Sequence, residues 1–226
     1  MQKIEFGDEY FSKRNLNDLS RMKSFALEAQ FMHKYVDNTG IVCDVGCSTG
    51  EFLKFINWQG RKFGIEINSY AAKEAKKSSI QIIEQLQDAI EIFDVIVLRG
   101  TIQHLPSPFE TIKTAFDKLR PGGVLFLIAT PNTDSIYFRI FGDLPAFDFP
   151  RNYWLPGFKQ LKLVCEREGF SFSGVQYPYL KSGYASRWDF VKFIARIFLR
   201  TPRLGCAFPR NMMNLAFTKP ITRDNA

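Results

Sequence analysis

Small and acidic residues follow a short apolar run in the segment VCDVGCSTGEF, residues 42–52. Gly46 and Gly50 allow the backbone to approach a ligand closely, because glycine has no Cβ. A helix that begins at Glu51 would direct its free N–H groups at the same place. This succession of buried strand, glycine turn and helix start predicts a binding site for a nucleotide or a nucleoside-like cofactor.

The departures of this turn from common phosphate-binding loops restrict the cofactor. The dinucleotide turn G-x-G-x-x-G has glycine where Ser48 and Glu51 stand, and the lysine of the P-loop G-x-x-x-x-G-K-[ST] is not present. Asp44, at the entrance, would repel phosphate and attract a cation. Glu66, about 20 residues further on, is placed to accept hydrogen bonds from a ribose diol. A ribose, an adenine and a cationic, phosphate-free tail describe S-adenosylmethionine.

A histidine in the segment TIQHLPSP could supply acid–base chemistry beside that cofactor. His104 follows a predicted strand over 94–98 and would stand at the mouth of the pocket. An imidazole can take a proton from a hydroxyl nucleophile near neutral pH, which makes His104 a candidate general base. The alternative is a histidine at a helix end that only bonds the backbone. His33 lies near the apolar stripe of the first predicted helix, where a structural role is expected.

The elements that must position these residues alternate between strand and helix. Apolar strings predict strands over 41–45, 62–67, 80–83, 94–98, 124–129, 170–177 and 214–218. Periodicity and capping residues predict helices over 17–37, 51–58, 68–77, 108–119, 157–168 and 188–200. Pro121-Gly122-Gly123 predicts a turn. Because most strand strings are apolar throughout, we expect a parallel sheet that helices cover on both faces.

Four blocks resemble the class I S-adenosylmethionine-dependent methyltransferases, in the same order and with matching spacing. They are DVGCSTGEFL, FGIEIN, FDVIVLRGTIQHLPSPFETI and KLRPGGVLFLIATPN, and FKQLKLVCEREGF resembles the helix that precedes the sixth strand. The likeness covers roughly residues 10–175 and is greater for bacterial small-molecule enzymes of the ubiquinone-biosynthesis-like and sugar-modifying kind. It implies a Rossmann-like fold with a mostly parallel seven-stranded sheet. Residues 1–180 would form the methyltransferase domain with an N-terminal helical lid, and 181–226 would complete it.

The resemblance also implies roles for individual residues in the cofactor site. The residues that would line the methionine part of the cofactor are Asp44, Gly46, Cys47, Ser48 and Gly50. Glu66 would hold the ribose, and the adenine would lie over Ile67 and near Leu86 and Gln87. The floor of the site would be formed by Arg99, Gly100 and Thr101. The family often has an acidic residue near position 87, where this chain offers Asp88 as a substitute. Cys47 as a small filler and Thr49 as a helix cap are the alternatives.

Metal and membrane-spanning roles are not expected. The four cysteines, Cys43, Cys47, Cys165 and Cys206, show no C-x-x-C pairing, and only two histidines accompany them. Free thiols in a reducing compartment are the simple interpretation. The polar N-terminus lacks a secretory signal, and no run of 18 apolar residues occurs. The sequence thus predicts a cytoplasmic protein, with contact at the inner membrane face left open.

The expected activity is O-methylation of a hydroxyl on a sugar or lipid-linked biosynthetic intermediate, with His104 as the base. A quinone precursor, or a carboxyl or amine group of a small metabolite, remains an alternative acceptor. An NAD-dependent oxidoreductase is disfavoured by Ser48 and Glu51, and a non-catalytic interaction protein by the retained glycines and Glu66. The loop LRGT differs from the N/D-P-P-Y of amino methyltransferases of nucleic-acid bases, so no nucleic acid partner is expected.

Two variable segments would form the acceptor site. One is the first helix region, with Tyr10, Phe11, Arg14 and Arg21, and the other is IYFRIFGDLPAFDFPRNYWLPGF. Aromatic faces pack on sugar or prenyl surfaces, and arginine favours phosphate or carboxylate. Packing within the protein is the alternative use of these aromatic side chains.

The net charge of +7 lies entirely in the last fifth of the chain. Residues 1–180 hold 21 basic and 21 acidic residues, whereas 181–226 hold nine basic and two acidic ones. The segment WDFVKFIARIFLR, residues 188–200, predicts an amphipathic helix with one charged stripe. Its apolar face could pack on the domain or on a dimer mate, cover a lipid-like substrate, or lie in a bilayer interface with anionic headgroups.

Overall fold

The computed structural model describes residues 18–145, 150–199, 205 and 207–221 of the 226-residue chain. The strands are β1 Ile41–Val45, β2 Arg61–Ile65, β3 Ile80–Ile83, β4 Phe93–Arg99, β5 Leu119–Pro131, β6 Ser171–Gln176 and β7 Met212–Thr218. The helices are α1 Leu19–Met32, α2 Glu51–Phe55, α3 Ser69–Lys77, α4 Pro108–Lys118, α5 Ile136–Phe141, α6 Phe158–Arg167 and α7 Asp189–Leu199. Single 3₁₀ turns occur at Leu86–Asp88, Ile102–His104 and Tyr179–Lys181.

The seven strands form one sheet in the order β3-β2-β1-β4-β5-β7-β6. Strands β1 to β5 pair in parallel, and β7 runs antiparallel between β5 and β6. The prediction of a mostly parallel, Rossmann-like α/β sheet is confirmed. The strand order reverses between β1 and β4, and ligands of open α/β sheets bind in the crevice outside the carboxyl ends of the strands at such a point.

Helices cover both faces of the sheet, so the central strands are apolar throughout. On one face, α1 and α2 bring Phe25, Phe31 and Phe52 into a cluster with β-strand side chains. On the other face, α4 and α6 contribute Ile112 and Leu161 to a second cluster. Full burial of such a side chain stabilises the fold by about 1.5–3 kcal/mol. This burial fixes where the strand ends, and therefore the site residues, lie.

Several element boundaries differ from the prediction. The helix expected over 51–58 ends at Phe55, since Asn57 has a left-handed φ of 50° and Trp58 turns inward to donate from Nε1 to the Gly40 carbonyl at 3.2 Å. Strand β2 covers Arg61–Ile65 instead of 62–67. The turn expected at 121–123 lies within β5, where the register with β4 shifts between Phe93 and Val95. These ends depend on contacts with other elements, which a local pattern does not contain.

The C-terminal part of the chain joins the same sheet. Strand β7 places Leu215 beside Leu127 of β5 and Val175 of β6. Within the residues that the structure describes, no helix has both the length and the apolar character needed to cross a bilayer.

Candidate functional site

The glycine turn closes over the end of β1, at the switch point of the sheet. Gly46, Ser48 and Gly50 all have left-handed backbone, with φ of 79°, 53° and 77°. The first two N–H groups of the turn both donate to the carbonyl of Ile65, at 2.8 and 3.0 Å. A Cβ at position 46 would lie 2.6 Å from Oγ1 of Thr101, so this position requires glycine. The turn is therefore held between β2 and the residues that follow β4.

Glu66 links the turn to the end of β2. Its Oε2 accepts the N–H of Ser48 at 2.9 Å, and its Oε1 accepts the N–H of Asn68 at 2.8 Å. A carboxylate offers about four lone-pair sites, so both oxygens retain acceptor capacity. Ile67, the next residue, is 70% exposed. The pair presents oriented oxygens beside an exposed apolar surface, which suits a ribose and an attached base.

Asp44 is a buried carboxyl group at the end of β1. Its Oδ1 has no hydrogen-bond partner among the described residues. Burial raises the pKa of Asp44 to about 7; Arg99 opposes this rise, whereas Glu66 and Glu28 add to it. A nearby positive charge would favour the ionised form. The buried carboxyl group of Asp44 therefore fits the cationic end of the predicted cofactor.

Other buried oxygens without a partner surround the same turn. In the described part of the chain they include Oγ1 of Thr49, Oε1 of Glu51 and Oε1 of Gln103. The first two belong to the turn and the start of α2, and Gln103 belongs to the 3₁₀ turn after β4. Because proteins satisfy nearly all of their buried polar groups, a polar ligand in the crevice would supply the partners that these oxygens lack.

Arg99, at the end of β4, forms a buried salt bridge with Glu28 of α1. The guanidinium donates from Nε to Oε2 at 2.6 Å and from Nη2 to Oε1 at 3.1 Å. It also lies over the ring of Phe25, with 4.4 Å from Cζ to the ring centroid. The hydroxyl of Tyr179 donates to Oε1 of Glu28 at 3.1 Å. Arg99 thus anchors α1 to the carboxyl end of β4.

A second ion pair anchors the same helix on the glycine turn. Arg21 of α1 donates from Nη1 to Oε2 of Glu51 at 2.5 Å. Arg21 was expected to face the acceptor, and the structure uses its charge to hold α1 against the start of α2. Tyr10, Phe11 and Arg14, also expected there, lie outside the described residues.

His104 lies in the 3₁₀ turn after β4, near the glycine turn. Its Nδ1 is 3.0 Å from the carbonyl oxygen of Arg151. A carbonyl can only accept, so Nδ1 carries the proton and Nε2 is the acceptor nitrogen. The amide nitrogen of Gln103 donates to the Gly100 carbonyl at 3.1 Å and lies 3.3 Å from Nε2 of His104. The Arg151 carbonyl therefore orients the imidazole ring through Nδ1, and the Gln103 amide lies beside Nε2.

The remaining predicted residues occupy varied positions. The thiol of Cys47 is buried against Gly64, where a Cβ would lie 2.5 Å from the sulfur, and burial raises the pKa of this thiol. Leu86 is buried in the core, whereas Gln87 is exposed and donates to Gln85 at 2.6 Å. The N–H of Gly100 donates to the Ile128 carbonyl at 2.7 Å. The Cys47 thiol is therefore a packing group beneath the turn, and its N–H and carbonyl bond Ile65 and Gly50.

Sequence reasoning missed Glu28 and did not foresee that Glu51 pairs with Arg21. A signal for the first was present, because Glu28 falls between Phe25 and Met32 on the apolar stripe of the first helix. A charge at such a position must find a partner. No group of three or more His, Cys, Asp or Glu that could hold a metal occurs among the described residues. Cys206 lies outside them.

Comparison with known proteins gives a family match. The model of a family described as "Methyltransferase domain" matches residues 14–172, well over half of the chain. A tRNA U34 carboxymethyltransferase of Desulfotalea psychrophila is 28% identical over 143 residues, which cover 58% of this chain and 45% of that protein. Another of Campylobacter jejuni is 27% identical over 141 residues, 57% of this chain and 48% of that one. The chain thus spans about half the length of these relatives.

Solved structures share the fold at low sequence identity. A SAM-dependent methyltransferase of Thermotoga maritima, described as a possible histamine N-methyltransferase, superposes with a TM-score of 0.62 at 17% identity and covers 89% of this chain and 91% of that one. Magnesium protoporphyrin IX methyltransferase of Synechocystis, with bound SAH, gives 0.58 at 13% identity over 89% and 84%. Both similarities concern the fold.

Proposed function

The chain belongs to the methyltransferase domain family as a class I S-adenosylmethionine-dependent methyltransferase, and on that premise we propose that it methylates a hydroxyl oxygen of a sugar or lipid-linked biosynthetic intermediate. The observation that carries the proposal is the imidazole of His104, whose Nδ1–H is engaged by the Arg151 carbonyl so that Nε2 is the basic nitrogen. A hydroxyl nucleophile must lose its proton as the new bond forms. Membership of the family sets aside the oxidoreductase alternative.

The cofactor contacts in this proposal follow the crevice. Glu66 would accept hydrogen bonds from the ribose hydroxyls, the exposed side chain of Ile67 would pack against the adenine, and Asp44 would hold the cationic methionine end. The turn at Gly46–Gly50 lets the ligand lie directly against the backbone, because its glycines carry no Cβ. A side chain at Gly46 would collide with Thr101. When bound, S-adenosylmethionine supplies a methyl group that its own sulfonium charge activates.

The chain contributes position and proton transfer. Holding the acceptor hydroxyl in line with the methyl group can lower the activation free energy by up to about 7–11 kcal/mol. His104 accepts the hydroxyl proton at Nε2, where an acceptor hydroxyl would replace the amide of Gln103, and such base catalysis typically contributes about 10²–10⁴ in rate. The Arg151 carbonyl keeps the proton on Nδ1 and stabilises the imidazolium that forms.

Aromatic side chains beside His104 support a sugar or lipid-linked acceptor. The N–H of Tyr153 donates to the Gln103 carbonyl at 2.9 Å, which ties the segment after Arg151 to the 3₁₀ turn. Tyr153 is exposed, and Trp154 packs edge-on against Phe109 with 5.1 Å between ring centroids. A phenolic hydroxyl of a quinone precursor would use the same base, whereas a carboxylate needs none. A lipid-linked acceptor also requires contact with a membrane surface, for which α7 is the candidate.

An RNA nucleoside is a second candidate acceptor. The support is the similarity to proteins named tRNA U34 carboxymethyltransferases, together with the basic excess of residues 181–226. Against it stands the neutral balance of residues 1–180, which include the turn and His104. The two acceptors are separable by product analysis.

The test is incubation of the purified protein with methyl-labelled S-adenosylmethionine and, in parallel, a host glycolipid extract, a metabolite extract or bulk tRNA. We expect label in a glycolipid or sugar fraction, as an alkali-stable ether identified by mass spectrometry. Label recovered in a tRNA nucleoside would transfer the proposal to the second candidate. An alkali-labile ester or a methylamine would contradict hydroxyl methylation.

A further inference from the structure

Helix α7 exposes an apolar face that no described residue covers. Phe190 and Phe198 are 70% and 77% exposed, and Val191, Ile194 and Ile197 are exposed to a lesser degree. On a helix these five positions fall within one stripe of about 120°. Trp188, just before the helix, is also exposed. We call these six residues the α7 patch.

Contacts on the other face of α7 hold the helix on the domain. Phe193 stacks on Phe208 with 5.2 Å between ring centroids and meets Phe141 of α5 at 5.7 Å. Its ring also lies 6.4 Å from that of the buried Tyr137. The α7 patch is therefore the outer face of an anchored helix. Packing of the whole helix into the domain, one of the alternatives drawn from the sequence, describes only its Phe193 side.

The described residues around α7 carry more positive than negative charge. Within the described part of residues 181–221, Asp189 is the single acidic residue, and it is already engaged by the N–H of Ser186 at 2.7 Å and by Lys192 at 3.5 Å. Lys181 and Arg187 are exposed on the segment that leads into the helix, and Arg139 is exposed on α5. An isologous dimer through this patch would bring like charges together, whereas an anionic surface would neutralise them.

The patch also lies on an element that connects to the crevice. Helix α5, against which Phe193 packs, directly follows β5 at the carboxyl edge of the sheet, the edge that holds the glycine turn and His104. It exposes Ile136 and Ile140 as well. An apolar surface at this edge is where a membrane-bound acceptor would have to approach.

We propose that the α7 patch inserts into the interface of an anionic bilayer, with Arg187 and Lys181 on the headgroups. An amphipathic helix of this kind buries its apolar face about 5–10 Å into the headgroup and acyl boundary. The apolar insertion and the attraction of basic residues act together, so binding requires anionic lipid and weakens with salt. This partner is independent of which atom the enzyme methylates, although it would deliver a lipid-linked acceptor to the crevice.

The experiment is co-sedimentation of the full-length protein with vesicles of phosphatidylcholine alone or with about 30% phosphatidylglycerol, which gives the vesicle surface a negative potential. We expect binding to the anionic vesicles only. The double variant Phe190→Glu/Phe198→Glu should lower the partition coefficient at least about tenfold, because it removes two apolar anchors and adds repelled charges. Arg187→Gln should lower it about fivefold.

The matched control is Ile90→Glu, which alters an even more exposed apolar residue that precedes β4 on the amino edge of the sheet. It should bind like the unmodified protein, and circular dichroism with cofactor titration establishes that every variant is folded. Equal binding to neutral vesicles, no binding at low salt, or an unaffected double variant would overturn the proposal. So would sedimentation as a dimer that the double variant dissociates, or binding of tRNA that the same variant abolishes.

Discussion

Arg99 and Glu28 form a doubly hydrogen-bonded salt bridge across 71 residues of sequence, and the carboxylate is fully buried. The pair joins the end of β4 to the helix that covers the crevice. Burial raises the pKa of Glu28, and Arg99 opposes that rise. Because Glu28 is fully and Arg99 largely shielded from water, each charge depends on the other.

Replacing Glu28 by Gln should destabilise the protein by about 3–5 kcal/mol, since it leaves the buried guanidinium of Arg99 without its counter-ion. Urea unfolding at pH 7.5 measures this. The control is Glu74→Gln, which breaks an exposed pair with Lys77 and should cost less than about 1 kcal/mol. Equal losses in the two variants would show that the buried pair does not anchor α1.

Asp44 should make cofactor binding depend on pH. Burial raises its pKa to about 7 in the free protein, so the group is largely protonated below that pH. A cationic ligand stabilises the ionised form, and binding below pH 7 must therefore release a proton. We expect the affinity for S-adenosylmethionine to rise by up to about tenfold per pH unit as pH increases to 7, and to level off above it.

Calorimetry from pH 5.5 to 8.5, in buffers of different ionisation enthalpy, measures both the slope of the affinity against pH and the proton released on binding. Asp44→Asn should bind weakly and with no slope between pH 5.5 and 7. Asp117→Asn, at an exposed site on α4, should leave the slope unchanged. A slope that survives in Asp44→Asn would assign the linkage to another group.

His104→Ala should reduce kcat by about 10²–10⁴ while the affinity for S-adenosylmethionine stays within about twofold, because it removes only the proton acceptor. His33→Ala is the matched control, since His33 is exposed near the end of α1 and contacts Asn38 at 3.0 Å. Single-turnover rates with the identified acceptor measure the effect. Full kcat in His104→Ala would refute the base assignment.

Gly46→Ala should impair both stability and cofactor binding. Alanine in left-handed backbone costs about 1–2 kcal/mol, and its Cβ would also overlap Oγ1 and Cγ2 of Thr101. Gly142→Ala, at a similar φ of 62° and with no described atom within 4 Å of its Cβ, carries the backbone cost alone. Thermal unfolding and cofactor titration of the two variants, compared with each other, measure the effect of the contact with Thr101. Identical behaviour would mean that the crevice adapts at Thr101.

Local patterns predicted the elements that carry the site. The strings at 41–45 and 80–83 match β1 and β3 at both ends, and Asn68 caps α3 by accepting the N–H of Ala71 at 2.9 Å. Apolar runs and caps act over a few residues, so their signals are complete in the sequence. Helix α2 and the turn at 121–123 departed from prediction because the inward turn of Trp58 and the pairing of β5 with β4 decide them.

The sequence by itself determined the fold class, the glycine turn and the family, because these follow from short-range periodicity and from motifs whose residues are adjacent. Only the tertiary structure decided how the charges and protons are arranged. It pairs Glu28 with Arg99, raises the pKa of Asp44 and orients His104 through a carbonyl 47 residues away. It also leaves one face of α7 exposed. Desolvation and long-range pairing depend on which distant elements meet, and those meetings are set by packing the whole sheet.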